Sequence, residues 1–588
     1  MRDASHNEAM STAPQACYVD GVITDKSPIA RCAALLIVLS AAACSSSKTV
    51  MSVTPPAAKP AVAPVSTATA PIVGPPLFAA APTDRRVLLL ATASVQGYVE
   101  PCGCTGDPLG GIARLAGVVD DAHRAYGDRV VLLDAGDLLF EKPDDNAAVD
   151  RCQADARTEL LVGTWARLGL VATTRGPLDD VRGADVRDAL LAKHHVKSLE
   201  HAATTVVVRA GIKVLIVGAN DTDSVNAINA AVAAAAANAG GVDVSVLLSQ
   251  TDTTATKLLA KGLHGVDLVV VGRAAEAPSP PEKVGDVVVV QPGWQAQHVA
   301  AIEVVVQGRV AGSALALDDR IAVADGRKKL LDVRVAEIDK LLAVVEAGDT
   351  RTFQQGRRDR FAAERAALDV DVSAPMNGPH MVVRALALKR GLTEEPTAFA
   401  ALKAYEQAIP TLVSSCEAGV VCTEPAADVP RFVGAQTCQA CHAAAWDFWQ
   451  RALVEVKTTE LNGKQGTQLS GHVKAWDTLV HAGRDKDRSC VGCHSAGFDV
   501  DGGACTTTAL VEKQLTAVQC ESCHGAGSAH VAGGGDATKI LRQVPETRCR
   551  ECHLPPHIES AASFVFNERL LHILGEGHGA ARRAELVR

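Results

Sequence analysis

Four copies of the pattern Cys-x-x-Cys-His crowd the last quarter of the chain: Cys438-Cys441-His442, Cys490-Cys493-His494, Cys520-Cys523-His524 and Cys549-Cys552-His553. Two thiols at this spacing can each add to a vinyl group of one haem, and the adjacent imidazole takes one axial position on its iron. The tight spacing brings both thioethers and the ring to a single macrocycle. Zinc knuckles built from paired CxxC motifs have no need of a histidine directly after every second cysteine. The pattern therefore predicts four covalently bound haem c groups. Such a segment has little room for an ordinary core. Porphyrins supply flat apolar surface in its place, in keeping with an aromatic content of only 3%, and the segment is not expected to fold without haem.

The second axial position can be bounded by counting. The chain has five Met, none of them after Met381. Unless Met376 or Met381 reaches in, that position is His or open. Six histidines outside the motifs lie in the segment: His472, His481, His530, His557, His572 and His578. Without a Met ligand, low reduction potentials are expected.

The rest of the composition fits an exported protein. The net charge is -9 and no long Lys/Arg run occurs, so nucleic acid is not an expected partner. Seventeen cysteines are many for a cytosolic protein. Lys26 and Arg31 precede an apolar run from Cys32 to Ala43 that is too short to span a bilayer and reads as a signal-peptide core. Ala41-Ala42-Ala43-Cys44 resembles a bacterial lipoprotein cleavage box, which implies acylation of Cys44 and, with Ser45 following, a place at the outer membrane facing the periplasm. Cleavage elsewhere would give a soluble periplasmic protein. The Pro/Ala/Thr-rich stretch from Ser52 to about Asp84 reads as an extended tether.

From Arg86 to about Ala322, short β-branched runs alternate with helical stretches, which argues for a layered α/β fold. Here the residues resemble the periplasmic 5′-nucleotidase metallophosphoesterases. Leu90–Gly97 lines up with the family's first metal-binding turn, Gly110-Gly111-Ile112-Ala113-Arg114 with its Gly-Gly-x-Ala-Arg turn, and Leu133-Asp134-Ala135-Gly136-Asp137 with its Asp-x-Gly-Asp. The resemblance implies the fold and argues against the activity. Of the positions that hold two metals in the family, only Asp137 keeps its ligand. Ser94, Gln96, Pro177, Leu178, Gln250, Arg273 and Ala275 stand at the others. Cys102 and Cys104, in the loop after the first strand, could form a reducible pair or bind metal. The alternative is a structural thiol pair bridged to Cys152.

Between these regions, Leu331, Val335, Ile338, Leu342 and Val345 form one helical stripe, a break at Gly348-Asp349 gives two antiparallel helices, and a further helix is expected at Ala398–Ala408, ended by Pro410. Cys416 and Cys422 read as a small disulfide.

Phe432 to about Gly579 resembles the tetrahaem cytochrome c-554 type. The resemblance rests on Phe432-Val433-Gly434-Ala435 before the first motif, on Cys490–Phe498 and on Cys520–His530. It implies electron transfer with periplasmic redox partners. His472 and His530 match the family's distal ligand positions. His557 and His578 come next, and His481 and His572 read as surface residues. An insert separates Trp449 from Ser470, where relatives run on directly.

These readings divide the chain into a leader (1–44), a tether (45–85), a degenerate metallophosphoesterase-like α/β domain (86–322), a helical connector (323–430) and a mostly α/irregular tetrahaem cytochrome c domain (431–580). The function expected is that of a membrane-anchored, periplasm-facing electron-transfer protein with a catalytically dead scaffold domain. One alternative is a reductase of small nitrogen oxides, hydroxylamine or peroxide at an iron with an open axial position. The other is a thiol-redox protein using Cys102 and Cys104.

Overall fold

Along Arg86–Thr92 the side chains alternate between two apolar layers, as a strand buried on both faces requires. Leu88 and Leu90 face helices, whereas Val87, Leu89 and Ala91 face a second sheet. That strand lies inside a seven-stranded sheet. The order is Ala316–Asp318, His380–Ala387, His298–Val305, Arg86–Thr92, Val130–Asp134, Leu170–Thr174 and Ser198–Leu199. Arg86–Thr92 runs parallel to Val130–Asp134 and antiparallel to His298–Val305. The second sheet has six strands, in the order Glu282–Val284, Val287–Val290, Leu268–Val271, Val244–Gln250, Ile212–Asn220 and Thr204–Arg209.

The two sheets pack face to face through Val87, Leu89, Val131 and Leu133 on one side and Val214, Ile216, Val246 and Leu248 on the other. Helices Ile112–Tyr126, Arg151–Arg167 and Pro396–Glu417 cover the outer face of the first sheet. Val225–Asn238 and Thr253–Ala260 cover that of the second. The result is a four-layer α/β/β/α arrangement.

The computed structural model describes residues 70–102, 108–141, 149–273, 277–310, 312–345, 347–371, 376–452, 454–459, 465–553 and 564–587. All lie in one compact unit, Pro64–Arg588. The leader with Cys44, most of the tether, Cys104 and His557 fall outside the described residues, as does the side chain of Cys102. Among the described residues no helix is long and apolar enough to cross a membrane.

The stretch read as a helical connector does more than connect. Arg320–Val344 and Asp349–Asp371 pair through Leu331, Ile338, Leu342 and Phe361, as the stripe predicts. The chain then returns as the strand His380–Ala387, which pairs along its whole length with His298–Val305. This buries Met381 in the sheet and removes it as a candidate iron ligand. Pro410 does not end the next helix, which runs Pro396–Glu417. Burial of Leu402, Tyr405, Ile409 and Val413 against the α/β layer outweighs one lost backbone hydrogen bond. A further strand, Leu170–Thr174, continues the first sheet where sequence periodicity gave no strand.

Short helices and turns make up most of the C-terminal segment, around a small apolar cluster of Leu479, Val491, Phe498, Ala504, Leu510 and Leu515. The insert after Trp449 forms an antiparallel hairpin, Val454–Thr459 with Gln465–Ser470.

Candidate multihaem site and its junction with the α/β domain

The first cysteine of each attachment motif lies on a short helix. Buried polar groups then bring the motifs together. Glu521, inside the third motif, is fully buried and accepts the backbone N–H groups of Val433, Gly434 and Gly527, at 2.7 Å for the latter two. Gln519 Oε1 accepts Ala435 N–H at 2.7 Å. The lead into the first motif is thereby clamped to the third. Ser522 Oγ donates to Ser495 O and Arg548 Nε to Ser522 O, tying the second and fourth motifs to the third.

Three motif histidines face a histidine from elsewhere. The ring centroids of His442 and His530 are 6.1 Å apart, those of His524 and His578 6.1 Å, and those of His472 and His553 6.2 Å. Two iron–imidazole bonds of roughly 2 Å each, plus the half-width of each ring, span about this distance. The residues therefore fit an iron held between each pair.

Hydrogen bonds orient the rings for that role. Nδ1 of His524, His530 and His578 lies 2.6–2.9 Å from the carbonyls of Leu541, Asp536 and Ile573. A carbonyl can only accept, so Nδ1 carries the proton and Nε2 keeps its lone pair for a metal. Burial pushes the His472 imidazole down to about 4, with His553 adding to the shift, so this ring too is neutral.

The fourth motif histidine differs. His494 Nδ1 is held 2.7 Å from Ala475 O, yet among the described residues no aromatic ring faces it at the spacing of the other pairs. His481 bonds back to Asp477 O in its own helix, and both it and His572 are exposed, as expected of surface residues.

The eight motif cysteines are free, whereas four others are paired as Cys152–Cys416 and Cys422–Cys505. The small Cys416–Cys422 disulfide expected from sequence is absent, as is a Cys152 bridge to the Cys102 loop. Cys416 lies on the helix that packs against the helix bearing Cys152, so its partner comes from across the fold. The two bonds fasten the helix end at Glu417 between the α/β layer and the haem segment.

An ion-pair cluster fills this junction, and sequence reasoning missed it. Arg484 donates to both oxygens of Glu100, at 2.7 and 2.5 Å, and through Nε to Asp487 at 2.7 Å. Its Nη2 also lies 3.9 Å from Cys490 Sγ. Gln153 Nε2 donates to Asp487. Burial alone would raise the Asp487 carboxyl, but Arg484, Ser489 and Gln153 hold it below its ordinary value. Burial pushes the Glu100 carboxyl up, against the pull of Arg484. Arg488 pairs with Asp150, Glu417 and Asp499 at 2.5–2.8 Å and stacks over Phe498.

In the α/β layer the positions aligned with family metal ligands do converge. Ser94 Oγ donates to Gly272 O, and Leu178 N–H donates to Asp137 Oδ1. Ser94, Gln96 and Asp137 keep left-handed backbone at φ 45°, 55° and 51°. The space is filled by protein. A Cβ on Gly176 would fall 2.1 Å from Asp137 Oδ1 and 2.2 Å from Gln250 Nε2. Asp179 braces the turn by accepting N–H groups of Asp137, Leu138, Leu139 and Gly176.

Several known proteins are similar to parts of this chain. Residues 437–525 match the family model of cytochrome c554 and c-prime. Cytochrome c-554 of Nitrosomonas europaea is 33% identical over 152 residues, which cover 22% of this chain and 60% of that protein. The chain thus spans about 60% of the length of the curated relative it matches. Among solved structures, a 5′-nucleotidase precursor from Thermus thermophilus aligns at 16% identity over 68% of this chain and 74% of its own, with a TM-score of 0.38. The calcineurin-like phosphoesterase YfkN from Bacillus subtilis aligns at 13% identity over 56% and 99%, with a TM-score of 0.37. Toward its C-terminus, then, the chain carries a segment similar to the cytochrome c554 family, joined to a layered α/β domain.

Proposed function

We propose that this chain is an electron-transfer protein carrying four covalently attached haem c groups. When bound, haem supplies a one-electron carrier whose potential is set by its axial ligands and surroundings. The chain supplies Cys438, Cys441, Cys490, Cys493, Cys520, Cys523, Cys549 and Cys552 for attachment. His442 with His530, His524 with His578 and His553 with His472 would hold the irons. The observation that carries this reading is the set of three imidazole pairs at 6.1–6.2 Å, each joining a motif to a histidine from elsewhere. The α/β domain acts as a scaffold without phosphoesterase activity, because one carboxylate, Asp137, cannot hold a two-metal cluster. Acylation of Cys44 anchors the protein at the periplasmic face of the membrane, where it meets its redox partners.

A second reading concerns His494. With an imidazole on one side only among the described residues, its iron would offer a position to a small ligand, and reduction of small nitrogen oxides, hydroxylamine or peroxide would take place there. Quantifying haem per chain in the purified protein, with spectra of both redox states, tests both readings. Four haems, three low-spin and one high-spin that responds to cyanide or nitric oxide, is the expected result. A colourless protein defeats the first reading, and four low-spin haems defeat the second.

A further inference from the structure

The second attachment motif is not enclosed by the cytochrome segment alone. Glu100 comes from the α/β domain, 384 residues away in sequence from Arg484, yet it forms a two-pronged ion pair with that guanidinium. Two oxygens facing two N–H groups fix the plane of the guanidinium as well as its position. Asp487, itself inaccessible to solvent, holds the same guanidinium through Nε and takes a hydrogen bond from Gln153 of the α/β domain. So fixed, Arg484 points Nη2 at Cys490 Sγ. Cys490 is the first thiol of the motif whose histidine faces no second imidazole among the described residues. Side chains of this junction are only partly exposed, 19% for Arg484 and 23% for Glu100, so solvent screens the charges weakly.

From this geometry we infer that Glu100 and Arg484 make the α/β domain part of the second haem site, where they act as positioning residues that set the reduction potential of the group bonded to Cys490 and Cys493. This rests on the covalent attachment proposed above; it does not depend on how the iron at His494 is ligated. Oxidation adds a positive charge to the iron, so nearby negative charge favours the oxidised form and nearby positive charge the reduced form. The domain thereby holds one potential apart from the other three. A shift in the strand pairing Pro101–Cys102 with Leu109–Gly110, one residue from Glu100, would be felt at that group.

The test is a potentiometric titration of the full-length holoprotein at about pH 8. The component belonging to the second motif is identified by its loss from a variant carrying both Cys490→Ser and Cys493→Ser. Glu100→Gln keeps the shape and removes the negative charge, so that component's potential rises. Arg484→Gln leaves Glu100 and Asp487 uncompensated, so it falls. Each variant changes the ratio of oxidised to reduced second-site haem at fixed solution potential by at least about tenfold, which is 59 mV for a one-electron couple. Arg484→Lys keeps the charge and shifts it less. Should Arg484→Gln fail to assemble, Glu100→Gln alone decides. An unmoved second component, or equal movement of all four, overturns the inference. Absence of attached haem in the parent protein would instead overturn the attachment itself.

Discussion

His530 lies within 25° of parallel to His442, with their ring centres 6.1 Å apart, although 88 residues of chain and two other attachment motifs separate them. The ring reaches this place because helix Ser528–Ala532 follows directly on the third motif, which Glu521 clamps to the first. The third motif's segment thus supplies the facing imidazole of the first.

Replacing His530, His472 or His578 singly with Ala should therefore convert one low-spin haem in the protein to a high-spin form, counted by electron paramagnetic resonance. His481→Ala and His572→Ala should leave the spectrum as it is. A variant at His530 with its low-spin signals intact would break the assigned pairing.

Glu521→Gln should weaken the clamp on Val433, Gly434 and Gly527. Hydrogen bonds to a charged acceptor contribute about 1.5–3 kcal/mol each, and Gln keeps one oxygen to accept them. A loss of about 2–4 kcal/mol is expected, read as a lower thermal midpoint with reduced haem occupancy at the first motif before the others.

Peptide mapping under non-reducing conditions should recover Cys152 joined to Cys416 and Cys422 joined to Cys505. Cys416→Ser should lower stability by about 2–5 kcal/mol, measured by denaturant unfolding. Recovery of a Cys416–Cys422 peptide would contradict the fold at the junction.

Asp134 gives a pH dependence. Burial raises its carboxyl from 3.8 to about 6, with Thr92, Gly136 and Thr173 pulling the other way. Between about pH 4 and 6 the folded state binds the extra proton, so stability falls as pH rises through that window. Two pH units of difference amount to about 3 kcal/mol. Asp134→Asn, whose amide can keep the contacts to Thr92 and Thr173, should flatten that slope in unfolding measurements made across pH.

The sequence carried most of this because its strongest signals are local. The attachment motifs are complete within five residues, and alternation along Val87–Leu90 or Val244–Leu248 reports burial on two faces. His380–Ala387 escaped because it follows two long helices and takes its meaning from His298–Val305, a partner far back in the chain. Pro410 misled for the opposite reason: its local effect is real, and packing of Ile409 and Val413 overrides it. The Glu100–Arg484 pair left no sequence signal, since surface-type charges become a buried cluster only once two distant segments meet. The likeness of Ser94, Gln96 and Asp137 to a metal-binding turn was legible. That Gln250 and Asp137 together crowd the space over Gly176 was not, because close packing is a property of the assembled layer.

The bond between Cys422 and Cys505 closes a ring that contains the first two attachment motifs and excludes the last two. Biogenesis is then partitioned. Once that ring shuts, any cofactor still to be added at Cys438 or Cys490 must reach a tethered loop, while Cys520 and Cys549 stay on an open tail. With haem attached at all four motifs as proposed, premature oxidation would handicap the leading pair of insertions and spare the trailing pair, and the timing of sulfur chemistry would become a control point in making the mature protein.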